Sequence, residues 1–257
     1  MPLRTSARPG FLGLLLRGLL AGLIAGLLAG AFAYTVGEPH IDAAIAIEEA
    51  AADASGDAGH HDEEPLVGRD GQKAGLVLAT TLFGIAMGGL LATAYTLLRR
   101  RLRTRGDGRA ALQLAGAALL GAVLVPFLKY PPNPPAVGDP ATINQRTWSY
   151  LTVLVLGLVA VWAAVVAART QQVEWRRALA AVLGFVAVVS VAYLLLPTIQ
   201  EVPDTFPATL LWEFRISSLG VQAVLWTVLG LAFAALLSPR SGDDSPLPAE
   251  TKESAAA

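Results

Sequence analysis

The sequence predicts an all-α integral membrane protein, a polytopic bundle of about six transmembrane helices. Hydrophobic residues make up 54% of the 257 residues and charged residues only 15%, a composition that is not typical of soluble domains. Six apolar stretches are long enough to cross a hydrocarbon core of about 30 Å, and none of them contains Asp, Glu, Lys, Arg or His. These stretches are residues 18–36, 74–98, 110–128, 148–168, 178–196 and 216–237.

The first stretch carries a glycine every four residues, which predicts a face for close packing against another helix. It also has a second interpretation, because arginines precede it and Ala31-Phe32-Ala33 resembles a signal-peptide cleavage site. Cleavage would leave five spans with the same orientation. The predicted packing glycines are Gly18, Gly22, Gly26 and Gly30.

The distribution of positive charge predicts the orientation of the bundle. Of the 19 Lys and Arg residues, 14 flank the spans on one side, including the run of arginines between Arg99 and Arg109. Because cytoplasmic loops carry the excess of Lys and Arg, both termini are predicted to be cytoplasmic. Residues 238–257 are then a disordered cytoplasmic tail, and the three histidines lie on the outer side.

The first outer segment, residues 37–73, is predicted to be an extracytoplasmic loop rich in acid and histidine. Its first part, Ile41–Ala52, has the spacing of a short helix at the membrane surface. Its second part places imidazole and carboxylate groups side by side, a set that suits divalent cobalt, nickel or zinc. The alternative is a solvated acidic tether with an incidental histidine pair. The candidate metal ligands are His40, His60, His61, Asp62, Glu63 and Glu64.

The second outer segment has five prolines between Lys129 and Pro140, which predicts a stiff, extended lid. Its carbonyl oxygens, together with Tyr130 and Asn133, are candidate oxygen ligands. The alternative is a rigid connector between two helices.

The third outer segment leads into the last span with Glu213 and Arg215, where a charge is costly unless it is paired or hydrated. Candidate pairs are Glu213 with Arg215, Arg215 with Glu48 or Glu49, and Lys129 with Glu213. Glu213 is equally a candidate for a cation path. The residues predicted to form an ion path or outer mouth are Glu38, Asp42, Glu48, Glu49, Lys129, Tyr130, Asn133, Glu213, Arg215 and Gln222.

Several segments together resemble one known family. They are Gly37-Glu38-Pro39 with Ile41-Asp42-Ala43-Ala44-Ile45, Arg69 with Gln72 and Gly75, the proline-rich Lys129–Gly138, and Leu196-Pro197 through Phe214-Arg215. The family is CbtA, the proposed cobalt transporter subunit of bacteria. The resemblance implies a multi-pass protein of the bacterial inner membrane that is linked to cobalt uptake for cobalamin synthesis. It also implies cobalt(II) as substrate, no permanently bound cofactor, and a small single-span CbtB-like partner.

Two functional hypotheses follow. The first is a subunit of a divalent metal uptake system that captures the ion at the outer face with loop histidines and carboxylates. The second is a non-transporting scaffold in which the glycines of the first helix pack against the small subunit. An enzyme is not expected, because the chain has no Cys, three His and no carboxylate in mid-membrane. A P-loop and the aromatic and basic pattern of a nucleic-acid site are also missing.

Overall fold

The structure is a computed structural model that describes residues 10–55, 67–102 and 104–238. In these ranges every regular element is helical, and six helical stretches are long and apolar enough to cross a membrane. The prediction of an all-α membrane protein with about six spans is therefore confirmed. The predicted tail, from residue 239 onward, lies outside the described residues. The α-helices are α1 (Phe11–Phe32), α2 (Glu38–Ser55), α3 (Arg69–Leu98), α4 (Asp107–Ala118), α5 (Val125–Lys129), α6 (Ile143–Arg169), α7 (Glu174–Leu195) and α8 (Ala208–Leu237).

The first span and the predicted surface helix form one continuous helical stretch. A π-helical turn, Ala33–Gly37, joins α1 to α2, and the Glu38 N–H bonds to the Ala33 carbonyl five residues earlier. Pro39 follows directly, and since proline crowds the carbonyl four residues before it, the preceding turn widens. The stretch Phe11–Ala54 has 44 residues. At 1.5 Å per residue it is about 66 Å long, so α2 extends beyond the membrane instead of forming a separate surface helix.

A second π-helical turn has the same origin. It covers Leu119–Leu124 and joins α4 to α5, where the Val125 N–H bonds to the Leu120 carbonyl. Pro126 is again the next residue and is itself buried. The third span is therefore one helical stretch, Asp107–Lys129, with a widened turn before its outer end.

Four helices, α1, α3, α4 and α8, share the main apolar core. Ala21, Ala25 and Ala29 of α1 are fully buried in it, as is Phe233 of α8. The rings of Tyr95 and Phe233 meet edge to face with their centroids 5.6 Å apart. Small residues on α1 let the larger side chains of α8 reach the centre of this bundle.

The glycines of α1 pack against α3 of the same chain. A Cβ atom at Gly22 would lie 2.2 Å from the Gly84 carbonyl oxygen, and one at Gly18 would lie 2.5 Å from that of Gly88. A Cβ atom at Gly26 would lie 2.7 Å from the Cα atom of Thr81, whereas at Gly30 the spacing relaxes to 3.4 Å. The glycine face is thus covered within the chain, and it does not offer the partner-binding surface that the scaffold hypothesis assigned to it.

Helices α6 and α7 form a hairpin at the side of this bundle. The closest joint is between Gly157 of α6 and the second π turn, where a Cβ atom at Gly157 would lie 2.0 Å from the Gly121 carbonyl oxygen. Near the C-terminal end of α7, the Tyr193 hydroxyl donates to the Val125 carbonyl at 2.5 Å. The hairpin is therefore attached through α5 and the π turn before it.

One end of the bundle is formed by α2 and the loops 130–142 and 196–207, and we call it the outer end. Ala44 of α2 is fully buried there against Val137 and Phe206, one from each loop. Ile47 and Leu210 extend this contact. The predicted outer segments therefore pack into a single layer.

Candidate functional site

Two carboxylates of the predicted outer mouth are neutralised by cations of α3. Arg69 Nη2 lies 2.5 Å from Glu38 Oε1 and 2.7 Å from Asp42 Oδ1, and Lys73 Nζ lies 3.1 Å from Asp42 Oδ2. Glu38 is only 5% exposed. The two carboxylates lie one helical turn apart on α2 and the two cations one helical turn apart on α3, so the ion pairs hold α2 against α3. These two carboxylates are thus engaged in ion pairs.

The contact between His40 and Glu213 brings together two side chains of the types that bind metal ions. His40 Nδ1 of α2 lies 3.7 Å from Glu213 Oε2 of α8, and their side chains are 23% and 51% exposed. This distance is longer than a hydrogen bond. It brings an imidazole nitrogen and a carboxylate oxygen, ligands that a borderline divalent ion accepts, together from two helices.

Four further residues of the predicted mouth fasten the proline-rich loop. Arg215 donates to Asn133 Oδ1 at 2.9 Å and to the Pro132 carbonyl at 3.3 Å. Lys129 donates to the Tyr193 carbonyl at 3.0 Å, and the Tyr130 hydroxyl donates to the Pro197 carbonyl at 2.6 Å.

The predicted ion pairs of these cations are therefore wrong. Arg215 does not pair with Glu48 or Glu49, and Lys129 does not pair with Glu213; both cations bind neutral oxygens of neighbouring loops and helix ends. Proline residues leave carbonyls without local donors, so the loop itself supplies the closer partners.

Glu48 lies apart from both ion-pair sites. It lines an open groove between α2, the proline-rich loop and α6, with a volume of about 440 Å³. Glu49 is exposed on the next position of α2, and Gln222 is half-buried seven residues beyond Arg215 on α8. The structure thus distributes most of the predicted mouth among four places: the α2–α3 ion pairs, the His40–Glu213 contact, the contacts that fasten the proline-rich loop, and this groove.

Most of the predicted metal ligands cannot be placed. His60, His61, Asp62, Glu63 and Glu64 lie outside the described residues. Within the described part of the chain, no three His, Asp or Glu side chains converge to hold a metal ion. A preformed site is therefore not present among these residues.

A polar cluster at Glu201 was missed by the sequence analysis. Glu201 Oε2 lies 3.0 Å from Arg146 Nη1 and accepts from the Asp139 N–H at 3.1 Å, and Thr142 donates its hydroxyl to Oε1. The hydrogen bond from Thr142, with the backbone bond from Asp139 and the charge of Arg146, lowers the pKa of Glu201 below its ordinary value of 4.5. Its partners lie more than fifty residues away in sequence. The only sequence signal for this cluster is the opposite charge of Arg146 and Glu201, which belong to two consecutive outer segments.

Comparison with known proteins gives one match. The model of the family described as probable cobalt transporter subunit (CbtA) matches residues 11–238, nearly the whole chain. No curated protein and no solved structure matches the chain.

Proposed function

The chain belongs to the CbtA family of probable cobalt transporter subunits, and from this premise we propose that it takes up cobalt(II) by capturing the ion at the outer end. The observation that supports this most is the contact between His40 and Glu213, at 3.7 Å. Nitrogen and oxygen ligands from α2 and α8 meet there, beyond the last apolar turns of the spans. The ion is the substrate and binds transiently.

The His40–Glu213 pair supplies two ligands, fewer than a dehydrated divalent ion needs. The histidines and carboxylates of residues 60–64 are the further ligands in this proposal, because they occur in the segment that links α2 to α3. The protein acts in the bacterial inner membrane with both termini in the cytoplasm, beside a small single-span CbtB-like subunit.

The test is cobalt accumulation in cells that express the chain with and without the small subunit. Replacing a ligand, as in His40→Gln or Glu213→Gln, should lower uptake at subsaturating cobalt by about tenfold or more. Asp204→Asn is the matched control, because it removes an exposed outer carboxylate that has no ion pair with another described residue. Unchanged uptake in both ligand variants would contradict ion capture at this pair.

The second candidate is a non-transporting scaffold for the small subunit. It is favoured by the ion pairs that engage Glu38 and Asp42, and by the lack of a three-ligand cluster in the described ranges. Since α3 covers the glycines of α1, the subunit would have to bind another face. If the complex forms in every variant and uptake is indifferent to His40 and Glu213, the scaffold hypothesis is supported.

A further inference from the structure

The groove beside Glu48 is an open cavity of the outer end. Its walls are Glu48 and Ala51 of α2, the loop from Pro134 to Gly138 with Pro140, and Ile143 and Arg146 of α6. A volume of about 440 Å³ exceeds the space of a metal ion with six waters, which is about 180 Å³ at roughly 30 Å³ per water. The groove can therefore admit a hydrated ion.

The loop that forms the groove is rich in hydrogen-bond acceptors. Its side chains from Pro134 to Gly138 are all apolar, so its polar groups belong to the backbone, and each proline contributes a carbonyl without an N–H. The Pro134 carbonyl accepts from the Val137 N–H. Among the described residues no backbone donor bonds to the carbonyls of Pro135, Ala136 or Gly138.

The lining of the groove carries one carboxylate, Glu48, and one guanidinium, Arg146, which is paired with Glu201 outside the lining. Glu48 is exposed and forms no ion pair with another described residue, whereas the charge of Arg146 is offset by Glu201 at 3.0 Å. One carboxylate with backbone carbonyls is an all-oxygen ligand set without imidazole, which suits a bare borderline transition-metal ion poorly. The water shell of a divalent ion, by contrast, presents O–H donors outward, and acceptors of this kind bind them.

We propose that this groove binds a divalent metal ion with its water shell intact, through Glu48 and backbone carbonyls of the proline-rich loop. The inference rests on the proposed function and adds to it a first binding site, which the ion occupies before it reaches His40 and Glu213. His40 precedes Glu48 by eight residues on α2, about 12 Å along the helix. The ion therefore meets the groove as a hydrate, and exchanges water for imidazole and carboxylate only at His40 and Glu213.

The test uses hexaamminecobalt(III), whose ammine ligands do not exchange and present N–H donors as a hydrated ion presents O–H donors. Purified protein in nanodiscs of neutral lipid is dialysed against the complex, and bound cobalt is measured by mass spectrometry. We expect Glu48→Gln to weaken binding by about tenfold or more, because a trivalent cation loses its carboxylate. The matched control, Glu49→Gln, makes the same charge change one residue away and should bind as wild type.

A second pair of variants tests the groove by volume. Ala51→Trp fills it from α2, whereas Ala54→Trp places the same side chain at an exposed position of α2 that does not line it. Loss of binding in the first variant alone supports the proposal, provided both elute as monodisperse protein. Absence of binding in wild type, or binding that Glu48→Gln and Ala51→Trp leave unchanged, would overturn it.

Transport distinguishes this proposal from the function on which it rests. In cells, hexaamminecobalt(III) should inhibit cobalt(II) uptake by wild type and lose that effect in Glu48→Gln. Uptake that depends on His40 and Glu213 but is insensitive to the complex would keep the proposed function and reject the groove. Binding to the groove without any uptake would reject the function and keep the groove.

Discussion

Glu38 is a buried carboxylate that forms an ion pair with Arg69. The two side chains form an ion pair at 2.5 Å, and Glu38 is 5% exposed. Arg69→Met should lower the free energy of unfolding by about 3 kcal/mol, because it leaves a buried charge without its partner. Thermal unfolding in detergent, followed by circular dichroism, measures the effect.

Lys73 provides the matched comparison, since it pairs with the exposed Asp42. Lys73→Met should cost below about 1 kcal/mol. Adding Glu38→Gln to Arg69→Met should recover most of the lost stability, because the uncompensated charge is then gone. Equal losses for the two single variants would show that burial of Glu38 does not decide the energy.

Glu201 makes the stability of the outer end depend on pH. Thr142, Asp139 and Arg146 lower the pKa of Glu201 below 4.5, so the folded state binds this proton less readily than the unfolded state. The stabilisation is therefore present above about pH 4.5 and is lost as the pH falls through the lower pKa of the folded state. We expect Glu201→Gln to be less stable than wild type at pH 7 and to show a smaller further loss on acidification.

The measurement is the unfolding midpoint from pH 7 to pH 3. Asp204→Asn serves as the control, because Asp204 is an exposed carboxylate of the same loop. Its midpoint should follow the wild-type curve. If the Glu201→Gln curve has the same acid slope as wild type, other carboxylates cause the pH dependence.

At the scale of helices, the contact between α1 and α3 depends on glycine. A Cβ atom at Gly22 would lie 2.2 Å from the Gly84 carbonyl oxygen, well inside van der Waals contact. Gly22→Ala should therefore force the helices apart and cost about 1–3 kcal/mol, and Gly22→Leu should cost more. The yield of folded protein and its unfolding midpoint report the effect.

Gly75→Ala is the control for this prediction. It lies on α3, where an added Cβ would meet no atom within 4 Å. Since alanine is the better helix former, this variant should be as stable as wild type or slightly more stable. A Gly22→Ala protein that unfolds at the wild-type temperature would show that the backbone contact can relax.

Local patterns predicted the helices well, and long-range partners poorly. The four-residue glycine spacing predicts a packing face on α1, but that spacing holds no information on which helix covers it. Likewise Arg215 was expected to bind a carboxylate, since pairing rules consider charge alone. Its actual partners, Asn133 and the Pro132 carbonyl, are neutral and come from a loop whose path depends on consecutive prolines.

At the scale of the whole molecule, hydropathy predicts six spans but does not predict where the helices themselves begin and end. The last apolar stretch was predicted to begin at Ile216, whereas α8 begins at Ala208. The charged Glu213 and Arg215 end the apolar run without ending the helix, because backbone hydrogen bonds continue to the Pro207 carbonyl. The extra turns at the outer end are the ones that bring Glu213 to His40.

The proposed function assumes that the outer end faces away from the cytoplasm. The chain is well suited to a test of this orientation. It contains no cysteine, so a single introduced cysteine gives an unambiguous label. Asp204 lies exposed in the loop between α7 and α8, and Gln172 lies exposed in the turn between α6 and α7, beside Arg169, Arg176 and Arg177.

Since arginine-rich turns remain in the cytoplasm, a membrane-impermeant maleimide added to intact cells should label Asp204→Cys and spare Gln172→Cys. Permeabilised cells should label both, which controls for the reactivity of each site. Labelling of Gln172→Cys alone in intact cells would place α2 and the groove in the cytoplasm. His40, Glu213 and Glu48 would then face the side from which cobalt leaves, and capture of external ion at this end would be ruled out.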